Sequence, residues 1–196
     1  YLNLGETQQA LADFRKALAI NSKYAPALHG TALALAAQGE LALAEEFFYK
    51  ALKASPPSLV SQVQLDLAGF YYQQQNYPQA LHFLQLASKD IYHPNRGLVF
   101  INLGYTHIKL NQPVKAIENF NLALKLNPSQ HWVSNELLTL YVAEHLWQQA
   151  EAEWLNLKTT QAYTAASLPL ALQAVTQTNN QQEINYLNLL MSTQHK

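Results

Sequence analysis

Residues 116–123 read AIENFNLA, in which Ala116, Phe120 and Ala123 fall on one face of a helix because they occupy positions i, i+4 and i+7. The same small, large, small pattern recurs along the chain, and its leading alanines are separated by 34, 36, 36 and 34 residues. A period of this length predicts a repeat protein with one such helix in each repeat. The leading alanines are Ala10, Ala44, Ala80, Ala116 and Ala150, and the large residues that follow them are Phe14, Phe48, Leu84, Phe120 and Trp154.

A second helix is predicted upstream of each alanine helix. In this helix an apolar residue is followed by a residue that is usually small, and an aromatic residue or a leucine comes three to four positions later. Leu67-Ala68 followed by Tyr71 is an example. Turn residues such as Gln75-Asn76 separate the two helices, and Pro78 falls where a first-turn proline loses no needed N–H. The repeating unit is therefore a helix, a turn and a helix.

The order leucine, small residue, aromatic, alanine, aromatic, alanine and closing proline, the last seen as Pro56 and Pro128, resembles the tetratricopeptide repeat. The resemblance implies an all-α fold, a right-handed superhelical α-solenoid of helix-turn-helix repeats. We expect a single domain over residues 1–196. Its parts are a half repeat at 1–24, repeats at about 25–58, 61–94, 97–130 and 131–164, and a degenerate C-terminal helical hairpin at 165–196.

Composition and motifs argue against several function classes. The net charge is −1, from 12 basic and 13 acidic residues, so we expect no nucleic-acid partner. The seven histidines show no H-E-x-x-H or comparable ligand spacing, there is no cysteine, and no glycine-rich phosphate loop is found. We therefore expect no enzyme, no catalytic residues, no metal and no cofactor.

Function is instead expected on the concave surface that the first helices of such repeats line. The residues there are mostly apolar or aromatic, and only Lys109 and Asn102 could contribute to a clamp for a C-terminal carboxylate. We expect an extended or helical apolar segment as ligand, with Tyr72, Tyr105 and Trp132 as anchors. In the alternative interpretation, some of these residues pack against neighbouring helices, Leu65, Leu98 and Ile101 among them. The predicted groove residues are Leu33, Leu65, Asp66, Tyr72, Leu98, Ile101, Asn102, Tyr105, Ile108, Lys109, Trp132 and Asn135.

The junction between the third and fourth repeats is two residues longer than a standard one and reads YHPNRGLVFINLG over residues 92–104. Tyr92, Pro94, Arg96 and Phe100 make it similar to the junction of the type IV pilus biogenesis lipoproteins of the PilF/PilW group, the pilotins of the pilus secretin. His93 is an insertion relative to that pattern. The resemblance implies an outer-membrane lipoprotein on the periplasmic face that binds a secretin subunit and promotes its localisation or assembly.

Two other functions stay open at this point. One is a generic repeat scaffold or co-chaperone of the cytoplasm or periplasm. In the other, the chain is the repeat region of a larger enzyme. A purely structural interpretation of the long junction is that it loosens one repeat interface. Because the chain lacks an initiating Met, we expect an upstream segment, and a lipid-bearing cysteine there would favour the pilotin. The partner's identity and the oligomeric state are left open.

Overall fold

A computed structural model of the protein describes residues 4–193, with side chains from residue 7 onward. The predicted half repeat and the predicted terminal hairpin each extend three residues beyond this range. The described residues form helices and no strand, and none of these helices is both long and apolar enough to cross a membrane. The helices are α1 (Leu4–Ile20), α2 (Ala25–Gln38), α3 (Leu41–Ala54), α4 (Pro57–Gln73), α5 (Tyr77–Ala87), α6 (Arg96–Lys109), α7 (Pro113–Leu126), α8 (His131–Ala143), α9 (Trp147–Thr159), α10 (Ser167–Gln177) and α11 (Gln181–Thr193).

The turns after helices α2, α4, α6, α8, α9 and α10 each contain one residue in the left-handed conformation. Gly39 has a φ of 82° and suits this geometry, because glycine has no Cβ to clash with the backbone. After α4, the N–H of Asn76 donates to the carbonyl of Tyr71 at 2.9 Å and closes the turn. Five turns place a non-glycine residue in this conformation, and each bears some conformational cost. These residues are Gln75, Asn111, His145, Gln161 and Asn179, with φ between 53° and 61°.

The chain divides into two compact units, the first ending at Thr106 and the second beginning at His107. In the first unit α2 packs on α1 and α3, and α4 packs on α3 and α5. Ala44 and Ala80 are completely buried, whereas Ala10 in α1 is half-buried. Helix α4 begins at Pro57, four residues before the repeat boundary predicted at 61, because proline at the first helical position sacrifices no hydrogen bond.

In the second unit α8 packs on α7, α9 and α10, and α10 packs on α9 and α11. The second unit also contains ladder residues with no exposed surface, as the pattern predicts for small and large side chains at helix crossings. They are Ala116, Phe120, Ala150 and Trp154. The alanine ladder is therefore the packing core of each unit. The expectation of a single domain over residues 1–196 stays a prediction.

Candidate functional site

Two adjoining cavities lie in the first unit, between side chains of α2, α4 and α6. The larger cavity has a volume of about 560 Å³ and the smaller cavity about 190 Å³. They share Gly69, Gln73 and Asn102, and so form one continuous depression. Leu33, Ala36, Ala37, Phe48, Gln62, Leu65, Asp66, Phe70 and Leu98 complete the larger cavity, and Ala68, Tyr72, Leu84, Tyr105 and Thr106 complete the smaller one.

Helical spacing explains why α4 and α6 supply the lining. On α4, Asp66, Gly69 and Gln73 are separated by three and four positions, and on α6 Asn102 follows Leu98 by four. A Cβ built on Gly69 would meet no atom within 4 Å. The glycine therefore leaves open space where the two cavities meet.

Asp66 is the one carboxylate that lines the larger cavity, and neither cavity is lined by Lys or Arg. Its Oδ2 atom accepts a hydrogen bond of 2.8 Å from Gln62 Nε2, and His29 Nε2 lies 3.0 Å from the same oxygen. The His29 contact is an ion pair only when the imidazole is protonated. Asp66 Oδ1 has no hydrogen-bond partner in the described part of the chain, and the side chain is 28% exposed. One carboxylate oxygen is thus available to a ligand.

The smaller cavity is bordered by the rings of Tyr72 and Tyr105. The Tyr72 ring is held edge-on against Tyr77, with 5.3 Å between the centroids. Burial, followed by the neighbouring Tyr77, raises the pKa of Tyr72, so its hydroxyl stays protonated and able to donate. Between residues 7 and 193, the side-chain amides of Gln73 and Asn102 make no hydrogen bonds and can both donate and accept.

The cavities bring together most of the predicted groove residues of the first unit. Seven of them line one or both cavities, and among these Leu33 and Leu98 are exposed. Ile101, for which packing was the alternative interpretation, is only 2% exposed and lines neither cavity. It precedes Asn102 by one residue, a rotation of about 100° around the helix, and so belongs to the core. The seven are Leu33, Leu65, Asp66, Tyr72, Leu98, Asn102 and Tyr105.

The second unit holds the other four predicted groove residues. Asn135 stays a prediction as a groove residue, and its side-chain amide is hydrogen-bonded within the protein. Its Nδ2 donates to the carbonyl of Ala162 at 3.0 Å, and its Oδ1 accepts from Ser167 Oγ at 2.5 Å. Asn135 therefore ties α8 to the segment that precedes α10. Of the remaining three, Ile108 is half-buried, Lys109 is exposed and Trp132 is 48% exposed.

Some cavity-lining residues were not predicted from the sequence. Gln62 stands four positions before Asp66, so helical periodicity could have identified it. Phe48 and Leu84 were predicted as packing residues of the alanine ladder. In the structure they remain buried and also form part of the cavity walls.

The long junction before α6 is fixed by hydrogen bonds. Asp90 accepts from Ser61 Oγ at 2.6 Å and from the backbone N–H of Tyr92 at 3.0 Å, and these bonds hold the pKa of Asp90 below its ordinary value. His93 is buried, and its Nδ1 accepts from the N–H of Asn95 at 3.0 Å. The extra residues thus form a loop that is held by hydrogen bonds.

The junction residues that carry the family resemblance have different environments. Tyr92 is 89% exposed, and Pro94 is also exposed. The guanidinium carbon of Arg96 lies 5.3 Å from the centroid of the buried Phe100 ring, a cation–π arrangement. The loop therefore presents an aromatic ring to solvent while Arg96 and Phe100 fix the start of α6.

Among residues 4–193, no three or more His, Asp or Glu side chains are grouped so as to hold a metal ion. The two cavities instead combine apolar walls with uncharged amides and one carboxylate, as protein-binding and peptide-binding surfaces do.

Comparisons with known sequences agree with the repeat pattern. Three family models described as tetratricopeptide repeat match residues 1–58, 35–95 and 97–130. The chain is also 36% identical, over 144 residues, to the type IV pilus assembly protein PilF of Pseudomonas aeruginosa. That alignment covers 74% of this chain and 56% of PilF, so the chain spans little more than half the length of this relative.

Solved structures give the same fold. The chain superposes on Pseudomonas aeruginosa PilF with a TM-score of 0.75 and 30% identity, covering 96% of this chain and 84% of that one. It matches YrrB, described as a TPR protein with an unusual peptide-binding site, at a TM-score of 0.73 and 21% identity over 89% and 88% of the two chains. It matches PilW, described as a widely conserved type IV pilus biogenesis factor, at 0.67 and 18% over 96% and 86%. At these sequence identities, the matches to YrrB and PilW support the fold alone. The predicted fold class, an all-α solenoid of helix-turn-helix repeats, is confirmed.

Proposed function

The chain belongs to the family of PilF-like tetratricopeptide-repeat proteins, and on this premise we propose that it acts in type IV pilus biogenesis as a non-enzymatic module that binds a protein partner. The observation that carries the proposal is the pair of joined cavities on α2, α4 and α6. Their walls combine apolar and aromatic side chains with polar groups, and among the described residues the Gln73 and Asn102 amides and Asp66 Oδ1 make no hydrogen bond. This is the composition expected of the centre of a protein interface.

The partner in this proposal is a secretin subunit, and the role is that of a pilotin, which promotes localisation or assembly of the secretin in the outer membrane. Support comes from the 36% identity to PilF, whose name assigns it to pilus assembly. A lipid anchor upstream of these residues would hold the protein on the periplasmic face of the outer membrane. The anchor and the location are part of the same proposal.

Binding is tested by titrating the purified chain into a fluorescently labelled soluble fragment of a pilus secretin. Tyr105→Ala and Tyr72→Ala, which each remove a ring from the smaller cavity, are each expected to weaken binding by more than about 1 kcal/mol, roughly fivefold. Tyr24→Ala is the matched control, because Tyr24 is an exposed ring that lines neither cavity. Unchanged titration curves for both test variants would move the binding site elsewhere on the protein.

Location is tested separately, by fractionating a piliated bacterium that expresses the full-length protein. We expect the protein in the outer-membrane fraction, and we expect the secretin to leave that fraction when the gene is deleted. Recovery of the protein from the cytoplasm would contradict the pilotin role and favour the generic scaffold.

A further inference from the structure

We infer that the partner segment carries a Lys or Arg side chain that pairs with Asp66 in the larger cavity, together with an apolar side chain that enters the smaller cavity. The inference rests on the proposed function, since it takes the two cavities as the binding surface. The inference adds which side chains the bound segment carries.

The charge of the larger cavity favours a cation. Asp66 provides a carboxylate whose Oδ2 accepts from Gln62 and lies 3.0 Å from His29 Nε2, whereas Oδ1 has no hydrogen-bond partner in the part of the chain that the structure describes. The walls around it include the apolar side chains of Leu33, Leu65 and Phe70 as well as side-chain amides. Apolar walls lower the local dielectric and so strengthen a charged pair. A basic side chain would gain from this arrangement, and a carboxylate would be repelled.

The size and lining of the smaller cavity favour one apolar side chain. Its volume of about 190 Å³ lies below the roughly 300–1,000 Å³ of pockets that enclose a whole small molecule. Ala68, Leu84, Tyr72 and Tyr105 are four of its eight lining residues, and no charged residue lines it. A leucine-like side chain would bury apolar surface there without leaving a charge unpaired.

The two preferences are linked by the residues that the cavities share. Gln73 and Asn102 lie where the cavities meet, and each offers a side-chain donor and a side-chain acceptor. Peptide N–H and C=O groups require such partners when a chain is taken out of water. A segment held there by its backbone would place its basic and apolar side chains at a fixed spacing.

The inference is tested by panning a phage-displayed library of random dodecapeptides on the full chain, with Asp66→Asn and Asp13→Asn panned in parallel. Asp66→Asn keeps an oxygen that can accept from Gln62, while it removes the charge. Asp13→Asn removes one charge from an exposed carboxylate that pairs with Lys16 on α1, and so controls for net charge. The wild-type chain and Asp13→Asn are expected to enrich peptides with a Lys or Arg at a constant distance from an apolar residue. Asp66→Asn should enrich the apolar residue alone.

A synthetic peptide of the wild-type consensus provides the quantitative test. Replacing its basic residue by Gln should weaken binding to the wild-type chain by about three- to tenfold and should leave binding to Asp66→Asn unchanged. Added salt should weaken only the wild-type pairing with the basic peptide, because screening acts on the charged pair.

The outcomes separate this inference from the proposed function. A consensus of apolar residues without a basic one, or basic enrichment that persists on Asp66→Asn, overturns the inference and leaves peptide binding standing. A consensus of acidic residues also overturns it. Failure to enrich any peptide contradicts both the inference and the premise that the cavities bind a protein segment.

Discussion

Replacing Glu183 by Ala should destabilise the second unit by about 2–4 kcal/mol, because this carboxylate joins the last helix to α9. Glu183 Oε2 accepts from the indole N–H of Trp154 at 3.0 Å, and Oε1 accepts from Lys158 Nζ at 2.6 Å. The Glu183 side chain is 7% exposed and Trp154 is completely buried. The ammonium of Lys158 also lies 4.0 Å from the centroid of the Tyr186 ring, on the same helix as Glu183. Three side chains, two on α9 and one on α11, thus depend directly or through Lys158 on one carboxylate.

The magnitude follows from what each partner loses. An indole N–H left buried without an acceptor costs about 1–3 kcal/mol. The Lys158 side chain is 29% exposed, so its ammonium can regain water and adds at most about 1 kcal/mol. Loss of packed methylene groups adds about 1 kcal/mol, and release of a desolvated charge offsets part of the sum. Glu183→Gln keeps the volume and one acceptor, and should cost about 1–2 kcal/mol.

The assay is urea denaturation followed by far-UV circular dichroism, with Glu118→Ala as the control. Glu118 is an exposed carboxylate of the same unit, and its removal should change the free energy of unfolding by less than about 0.5 kcal/mol. Trp154→Phe in the wild-type and Glu183→Ala backgrounds completes a double-mutant cycle. A Glu183→Ala effect no larger than that of Glu118→Ala, or an additive cycle, would refute the reasoning.

Three further changes test the packing, the turns and one buried histidine. Gly30→Ala should be less stable than Gly69→Ala by about 1–3 kcal/mol in urea denaturation, because a Cβ on Gly30 would lie 2.2 Å from Phe14 Cζ whereas one on Gly69 meets open space; equal stabilities would contradict it. Gln75→Gly should stabilise the protein by about 0.5–1 kcal/mol, since Gln75 holds a φ of 61°, and a lower thermal midpoint would count against this. Burial lowers the pKa of His107 below its ordinary value, so the unfolded state binds more protons and wild-type stability should fall as the pH drops below about 6.5; His107→Phe should reduce that slope, and parallel pH profiles would reject the assignment.

The fold was predictable from the sequence because its packing rule repeats. Ala80 and Leu84 are a small and a large residue that pack where two helices approach each other, as Ala44 and Phe48 do one repeat earlier. Several concordant copies of one rule leave little freedom for another architecture. The turn at Gln75 was located for the same reason, although its left-handed backbone was not anticipated, because the residue there is not glycine.

The polar contacts were not predictable in this way. Ser61 reaches Asp90 across 29 residues, and Trp154 reaches Glu183 across the same separation. These distances are close to one repeat, but the pattern that sets the repeat specifies only size and apolarity. Asn135 is an example. Its position in the repeat predicted a groove residue, but only the structure shows that its side-chain amide accepts a hydrogen bond from Ser167.

The candidate site was predictable only in part, because the two faces of one helix are under different constraints. On α4, Leu67 and Tyr71 belong to the packing stripe, whereas Asp66 and Gly69 lie on the side that opens into the cavities. Every repeat must satisfy the first face, so periodicity reveals it. The second face is free to differ from repeat to repeat, and it is there that this chain places a carboxylate and a glycine. Because Asp66 contributes little to the packing stripe, a change such as Asp66→Asn can alter the choice of ligand while the fold is retained.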